Sequence, residues 1–352
     1  MTKNLKITII LLGVFLSVSL SAQHKQSIFD KMSYTQVLDV TITTDLSKLE
    51  DKRSEKKHRA NLTFTDSDGI TYDWAIKLAV RGKFRRMRCT EIPPLKIYFD
   101  KDDLREAGLT KFDDLKLVNQ CMEDEIVGRE LLLKEYLAYE LYNELTPESF
   151  RVQFMNITYE DSETGERFLR SGFVIEDAAQ LRDRISARKV KQERGFEANQ
   201  FNQEQFRKMA LFQYLIGNSD WSATFGRNIK VLEKDDQLIA IPYDFDFSGV
   251  VDAPYATPNA NYGLTSLQQR IYLGYTDDVS DLSDTVDEFK KKRSALKKVV
   301  KGHDLMSRSL RNKAWTYLSS YFSHPDEIKF GVELNQLSTE AADEGGSMMT
   351  EK

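Results

Sequence analysis

Short segments in which apolar and polar side chains alternate dominate the first half of the chain, and this alternation constrains the fold more than any other feature. It is found at residues 37–42, 61–65, 71–80, 95–99 and 115–118. A period of two is typical of β-strands with one buried face. With 41% hydrophobic residues in 352, the chain can also bury a sizeable core. The first half is therefore predicted to be mostly an antiparallel sheet.

Helical patterns take over in the second half. Residues 129–145 repeat apolar side chains at helical spacing without Gly or Pro, and Pro147 stops the pattern. Strands are predicted at 151–159 and 168–175, helical segments at 177–216 and 284–322, and a hairpin at 228–241. This order predicts an α+β chain with a β-rich N-terminal lobe at 23–176 and a mainly helical C-terminal lobe at 177–335. The small polar tail at 336–352 is predicted to be disordered.

The first 22 residues have the pattern of a signal peptide. Lys3 and Lys6 precede an apolar run at 7–20, and small residues including Ala22 follow it. The run is short for a membrane span, which favours a signal peptide. A membrane anchor is the alternative interpretation. No later segment is long and apolar enough for a stable span. We therefore expect an exported protein, periplasmic or extracellular.

Several classes of chemistry are disfavoured by composition. The four histidines are scattered singly, so histidine-based metal clusters and catalytic triads are not expected. The net charge of −5 gives no general attraction to nucleic acid. Cys89 and Cys121 are the only two cysteines in the sequence. In an oxidising compartment they could form one disulfide, and two buried thiols are the alternative.

Acidic and amide side chains cluster around the predicted hairpin. Asp220 ends a helical segment, Asn228 opens the first strand, and Asp244 and Asp246 follow the second. Because a hairpin brings its two ends together, these side chains should converge. Carboxylate and amide oxygens suit Mg²⁺ or Mn²⁺, and a carboxylate free of metal could accept a proton from a hydroxyl. Whether Asp244 or Asp246 is the main metal ligand stays open.

These same residues carry a resemblance to a known group of enzymes. Asn218-Ser-Asp220 with Asn228, and Pro242-Tyr-Asp-Phe-Asp246, resemble the catalytic and metal-binding segments of the CotH-like and HipA-like atypical kinases. Upstream segments that resemble the same kinases follow in the expected order. They are Leu115-Lys-Leu-Val118, Lys134-Glu-Tyr-Leu-Ala-Tyr139 and Phe173-Val-Ile-Glu176.

The resemblance implies a bilobal protein-kinase-like fold that transfers phosphate from ATP, bound with Mg²⁺ or Mn²⁺, to a hydroxyl of a protein or glycan. Asp220 would be the catalytic base, and Asn228 and Asp244, with Asp246 beside it, would hold metal. Lys116 would bind phosphate, Glu135 would orient that lysine, and Glu176 would lie at the hinge beside the nucleotide.

Two features depart from the family pattern. Seven residues separate Asp220 from Asn228, more than the family loop has, and no Gly-x-Gly-x-x-Gly motif is present. The only candidate for a phosphate-covering loop is Arg81-Gly-Lys-Phe-Arg-Arg86, where Arg81 would contact phosphate by charge. A solvated basic face is the other interpretation of this stretch. Two alternative functions also stay open, a non-catalytic surface or envelope binding module and a metal-dependent hydrolase that uses Asp220 and Asp244.

Overall fold

The computed structural model describes residues 25–33, 37–50, 54–82, 84–89, 92–192 and 194–331. The predicted signal peptide, residues 1–22, and the predicted disordered tail, residues 336–352, lie outside these ranges. Both stay predictions.

Seven strands from the first half of the chain form a closed barrel. They are β1 (Leu38–Thr44), β2 (His58–Thr65), β3 (Thr71–Val80), β4 (Leu95–Phe99), β5 (Asp114–Asn119), β6 (Val152–Asp161) and β7 (Arg167–Ile175). Their order around the barrel is β1-β2-β3-β4-β5-β7-β6. Neighbouring strands are antiparallel except β1 and β6, which run parallel and close the barrel.

The barrel interior is a hydrophobic core of its own. Along β1, Leu38, Val40 and Ile42 are buried, and the intervening side chains are more exposed. The same alternation turns Ile157 and Tyr159 of β6 inward. Closure therefore buries one face of each strand, which is how a small barrel is filled by its own side chains.

Short helical segments accompany the barrel and the loops. The α-helices are α1 (Ile28–Met32), α2 (Arg85–Arg88), which lies between β3 and β4, and α3 (Lys101–Glu106). Short 3₁₀ helices are found at Leu46–Leu49, Ala198–Gln200, Ala260–Tyr262 and Val279–Leu282.

A long helix, α4 (Glu125–Leu145), connects the barrel to a second hydrophobic core. It begins at Asp124, whose carboxylate accepts hydrogen bonds from the backbone N–H groups of Ile126 and Val127 at 3.0 Å. Such a cap satisfies amides that have no partner within the helix. The helix packs against β6, β7 and the later helix α7 (Ser283–Lys301).

Most of the other residues of the second core lie after 177. This part of the chain contains α5 (Ala178–Arg184), β8 (Arg188–Lys189), α6 (Gln203–Ile216), β9 (Ile229–Lys234), β10 (Gln237–Pro242) and α8 (Arg308–Tyr321). β10, β9 and β8 form a three-stranded sheet in that order, and α6 packs against β10. The predicted hairpin is therefore present as β9 and β10.

The prediction of a bilobal, protein-kinase-like fold with a mainly helical C-terminal lobe is wrong. The described residues instead form a closed mixed barrel of seven strands together with eight α-helices. Alternation along a strand identifies its buried face, but it does not reveal that β1 will pair in parallel with β6, more than a hundred residues later. The predicted helix at 177–216 is also interrupted, because α5 ends at Arg184 and α6 begins only at Gln203.

Cys89 and Cys121 form a disulfide. It joins the residue that follows α2 to the segment between β5 and α4. No helix within the described ranges is both long enough and apolar enough to cross a membrane.

The parallel contact that closes the barrel can be tested by cross-linking. Thr41 of β1 and Thr158 of β6 are Cα partners and lie on the outward face. Adjacent strands lie about 5 Å apart, within the range that a disulfide can bridge. We expect the Thr41→Cys/Thr158→Cys protein to form a second disulfide on oxidation, detected as faster migration on a non-reducing gel.

The matched control is Thr41→Cys/Asn156→Cys, which shifts one partner by two residues. The Cα atoms are then about 8 Å apart, too far for a disulfide without backbone movement. Equal cross-linking in both proteins would contradict the register of the closed barrel.

Candidate functional site

Asp220 lies just beyond α6 in a turn that internal hydrogen bonds hold in place. Gly217 ends the helix in the left-handed region at φ 67°, where glycine has no Cβ to clash. The Asn218 side-chain amide donates to Gln213 Oε1 at 3.0 Å. The Asp220 backbone N–H donates to Asn218 Oδ1 at 2.9 Å. Because Asn218 is buried, this network fixes the start of the loop that carries Asp220.

The seven residues between Asp220 and Asn228 form a small closed loop. Ser222 and Arg227 each donate a backbone hydrogen bond of 3.0 Å to the other. The loop therefore projects without separating its two ends. Asn228 Nδ2 donates to Asp220 Oδ2 at 2.9 Å, so the long interval leaves Asp220 and Asn228 in direct contact.

The hairpin brings Asp244 to the same place. Ile229 and Pro242 are Cα partners at its open end, and the Tyr243 backbone N–H donates to the Asn228 carbonyl at 3.1 Å. Asn228 and Asp244 have φ angles of 55° and 65°, values that are uncommon for residues with a Cβ and that cluster at functional sites. The Asp244 backbone N–H donates to Tyr139 Oη at 3.0 Å, which ties the hairpin to α4.

Three carboxylates converge beside this junction. One oxygen each of Glu135, Asp244 and Asp246 lies within 4.8 Å of the other two. Glu135 and Asp246 are 1% and 4% exposed. Burial raises the pKa of both groups, Arg85 opposes the rise, and the nearby Asp244 charge adds to it. Arg85 therefore does not fully balance the negative charge of the three carboxylates.

These residues fit a divalent cation. Glu135 Oε1 is buried and accepts no hydrogen bond from any described residue, so a lone pair stays unsatisfied inside the cluster. Carboxylate oxygens at this spacing are ligands that Mg²⁺ and Mn²⁺ accept. Both Asp244 and Asp246 belong to the cluster, so neither is singled out as the main ligand.

Arg85 of α2 is the cation that the sequence analysis did not identify. Its Nη1 atom lies 2.7 Å from Glu135 Oε2, its Nη2 atom donates to the Asn119 carbonyl at 3.1 Å, and its Nε atom lies 3.8 Å from Asp246 Oδ2. The resemblance implied Lys116 as the partner of Glu135, but the structure pairs Glu135 with Arg85. The Cys89–Cys121 disulfide holds the end of α2 beside Asn119.

Lys116 lies on the other side of Asp244. Its Nζ atom is 4.5 Å from the centre of the Tyr243 ring, a cation–π contact. The pKa of Lys116 is lowered to about 8, mostly by burial and also by the charge of Arg81, while the charge of Asp244 opposes the change. The charge of Arg81 thus acts on Lys116, and the predicted contact of Arg81 with phosphate stays a prediction. Lys83, in the same predicted loop, lies outside the described residues.

Glu176 is not part of this cluster. Its oxygens accept hydrogen bonds from Arg151 Nε at 3.0 Å and Arg184 Nη2 at 2.6 Å, and its side chain is fully buried. The Arg151 backbone N–H also donates to it, at 2.8 Å. The carboxylate therefore links β6 to α5, and its predicted contact with a nucleotide stays a prediction.

The surroundings of Asp220 raise the pKa of its carboxyl group. Burial raises its pKa, Arg227 lowers it, the Asp244 charge raises it, and the hydrogen bond from Asn228 lowers it. The side chain is 38% exposed, so a hydroxyl from solvent can reach it. A carboxylate whose pKa is raised towards neutrality is a better general base.

Sequence reasoning identified most of this site and missed its aromatic and arginine partners. Tyr139 lies one helical turn after Glu135, and Tyr255 Oη donates to Asp246 Oδ2 at 3.3 Å. Arg85 lies in the basic stretch 81–88, where nothing distinguishes it from its neighbours. Only the disulfide and the position of α2 make it the buried one.

Removing Arg85 should leave a buried, uncompensated charge. We expect Arg85→Met to lower the free energy of unfolding by about 3–5 kcal/mol. Glu135→Gln in the same protein should recover most of this loss, because the buried group is then neutral. Urea unfolding without added metal measures both effects.

Arg86→Met is the matched control, since the partner of Arg86, Glu55, is 73% exposed. Its cost should stay below about 1 kcal/mol. Equal losses for the two arginines would contradict a buried ion pair at Arg85.

Lys116 should make folding stability depend on pH. Its pKa in the folded state, about 8, lies below its ordinary value of 10.5. The unfolded chain therefore binds more protons between these values, and stability should rise with pH across that window. We expect Lys116→Met to be more stable than the natural protein at pH 7, by up to about 3 kcal/mol. The difference should shrink at pH 9.5.

Melting temperatures at the two pH values test this expectation. Lys77→Met, at an exposed position on β3, is the control and should change little at either pH. A Lys116→Met protein that is less stable at pH 7 would contradict the buried charge.

No protein-family model matches this chain, and no curated protein matches it. The function is therefore inferred from the site itself, in which Asp220, Asn228, Asp244, Asp246 and Glu135 converge with Lys116 and Arg81 on one side and Arg85 on the other.

Proposed function

We propose that this protein is an exported phosphotransferase that moves phosphate from metal-bound ATP to a hydroxyl of a protein or glycan. One observation carries the proposal. Asp220 and Asn228 are in hydrogen-bond contact beside a three-carboxylate cluster, with Lys116 and Arg81 close by. Phosphoryl transfer requires this combination of a base, a metal site and phosphate-binding cations.

The cations supply the phosphate-binding part of the proposal. Lys116 and Arg81 lie close enough for their charges to interact, and the charge of Lys116 also interacts with that of Asp244. Positive groups next to a metal ligand suit a polyphosphate, whose negative oxygens need several cations at once. A phosphate group between them would also relieve the mutual repulsion of Lys116 and Arg81.

Asp220 is the proposed base. Its carboxylate oxygen Oδ2 is oriented by Asn228 Nδ2 at 2.9 Å, and its backbone N–H is held by Asn218. In the transfer step Asp220 would accept the proton of the attacking hydroxyl while that oxygen bonds to the terminal phosphorus, and the bond between that phosphorus and the bridging oxygen would break to release ADP. Fixed orientation reduces the entropy lost in reaching the reactive geometry.

Asp244, Asp246, Asn228 and Glu135 are the residues that would hold the metal. A divalent cation bound there would neutralise charge on the phosphate oxygens. Tyr139 fixes the backbone of Asp244, and Arg85 fixes Glu135. These contacts keep the ligand oxygens together before any ligand binds.

Export is supported by two features of the chain. The first 22 residues have the signal-peptide pattern, and the Cys89–Cys121 disulfide is of a kind that persists in oxidising compartments.

Ligand-dependent melting tests the proposal directly. ATP with Mg²⁺ or Mn²⁺ at about 100 times its dissociation constant should stabilise the protein by about 2.7 kcal/mol. Asp244→Asn should abolish this shift because it removes a metal ligand. Asp220→Asn should keep the shift and slow the formation of ADP by about 10²–10⁴-fold, since it removes only the base.

Asp236→Asn is the control, because Asp236 lies in the exposed turn of the same hairpin. It should retain both binding and turnover. Absence of a shift with either metal would count against phosphotransfer. Binding without turnover would favour the non-catalytic binding module. Metal-dependent release of phosphate from p-nitrophenyl phosphate without nucleotide would favour the metal-dependent hydrolase.

A further inference from the structure

A basic segment leads to the loop that carries the proposed base. Between Arg182 and Arg194 there are six basic and two acidic residues, in a chain whose net charge is −5. Lys189, Lys191 and Arg194 are exposed. Among the described residues, none of the three forms an ion pair. We call these three residues the basic strip.

The segment that carries the basic strip begins beside β9 and leads towards the loop that follows Asp220. Arg188 and Lys189 are antiparallel partners of Glu233 and Leu232, so the segment continues back towards the start of β9, where Asn228 lies. The segment then reaches the loop between Asp220 and Asn228. The Gly195 backbone N–H donates to the Thr224 carbonyl at 2.7 Å.

The loop between Asp220 and Asn228 adds another positive charge beside the proposed base. Arg227 is half exposed, and its Nε atom lies 3.5 Å from Asp220 Oδ1. Phe225 in the same loop is 53% exposed. The surface formed by these segments therefore contains the basic strip, an exposed aromatic ring and the proposed catalytic carboxylate.

The positive charges of the basic strip come from one short stretch of chain. Lys189 ends β8, and Lys191 and Arg194 follow it by two and five residues. Three uncompensated positive charges this close in sequence attract a segment that carries several negative charges. Arg188 is already paired with Glu233 at 3.1 Å and Asp236 at 3.0 Å.

We propose that the basic strip binds the acceptor and that the acceptor is an acidic peptide, with several carboxylates beside the hydroxyl that is phosphorylated. This inference rests on the proposed function for its location next to Asp220. Surface charges of this kind contribute to specificity and association rate, and their effect falls as salt is raised.

Peptide binding tests the inference. The probes are synthetic peptides with one serine followed by several glutamates, and counterparts in which glutamine or lysine replaces each glutamate. We expect the full-length protein to bind the glutamate peptide about tenfold more tightly than the glutamine peptide, measured by fluorescence anisotropy at low salt. Lys189→Glu/Lys191→Glu/Arg194→Glu should remove this preference, and so should raising the salt to about 0.5 M.

The matched control reverses three exposed lysines of α7, with Lys291→Glu/Lys297→Glu/Lys298→Glu, and should keep the preference. Equal binding of the glutamate and glutamine peptides, or no binding of either, would overturn the inference. A heparin fragment that binds more tightly than the glutamate peptide would overturn it in favour of an anionic glycan.

The same proteins separate this inference from the proposed function. The triple variant of the basic strip should keep the melting shift with ATP and metal, because its substitutions lie outside the metal cluster. A lost peptide preference with a retained ATP shift supports the assignment of the basic strip to the acceptor. A missing ATP shift in the natural protein would refute phosphotransfer, whatever the peptides do.

Discussion

The buried ion pair between Arg85 and Glu135 is the interaction on which the site depends. Removing two charges from water is expensive, and the pair persists only because its geometry is close and other groups complete it. The Asn119 carbonyl accepts a second hydrogen bond from Arg85, and the Cys89–Cys121 disulfide holds the helix that presents Arg85. Without Arg85, burial and the neighbouring Asp244 charge would favour the neutral form of Glu135. The pair also joins α2, which lies between two barrel strands, to α4 of the second core.

Two residues of the site also have uncommon backbone conformations. Asn228 and Asp244 both have positive φ angles, and each lies at one end of the hairpin formed by β9 and β10. Backbone strain of this kind costs of the order of 1–3 kcal/mol per residue and persists where the surroundings enforce it. Here the enforcing contacts are the hydrogen bonds from Asn228 to Asp220 and from Asp244 to Tyr139. The result is a set of oxygen atoms held together before any ligand arrives.

The charges of the site are divided between two sides. Arg85 neutralises Glu135 and faces Asp246, whereas Lys116 and Arg81 lie near Asp244. This division differs from the single lysine–glutamate pair that the resemblance implied. Under the proposed function, the buried arginine would stabilise the cluster and Lys116 would bind phosphate. The lowered pKa of Lys116 is consistent with this role, because a desolvated amine is stabilised in its charged form by an anionic ligand.

Sequence alone was enough to identify the strands, the long helix, the hairpin and most of the acidic residues, because each of these follows from local periodicity or turn chemistry. The return of the hairpin, which brings Asp220 and Asn228 next to Asp244, is such a local consequence. Three features needed the tertiary structure: closure of the barrel by β1 and β6, selection of Arg85 as the partner of Glu135, and the approach of the basic strip to the loop after Asp220. Each is a contact between segments far apart in the chain. Local patterns determine which face of a segment is buried, but only packing of the whole chain decides what that face meets.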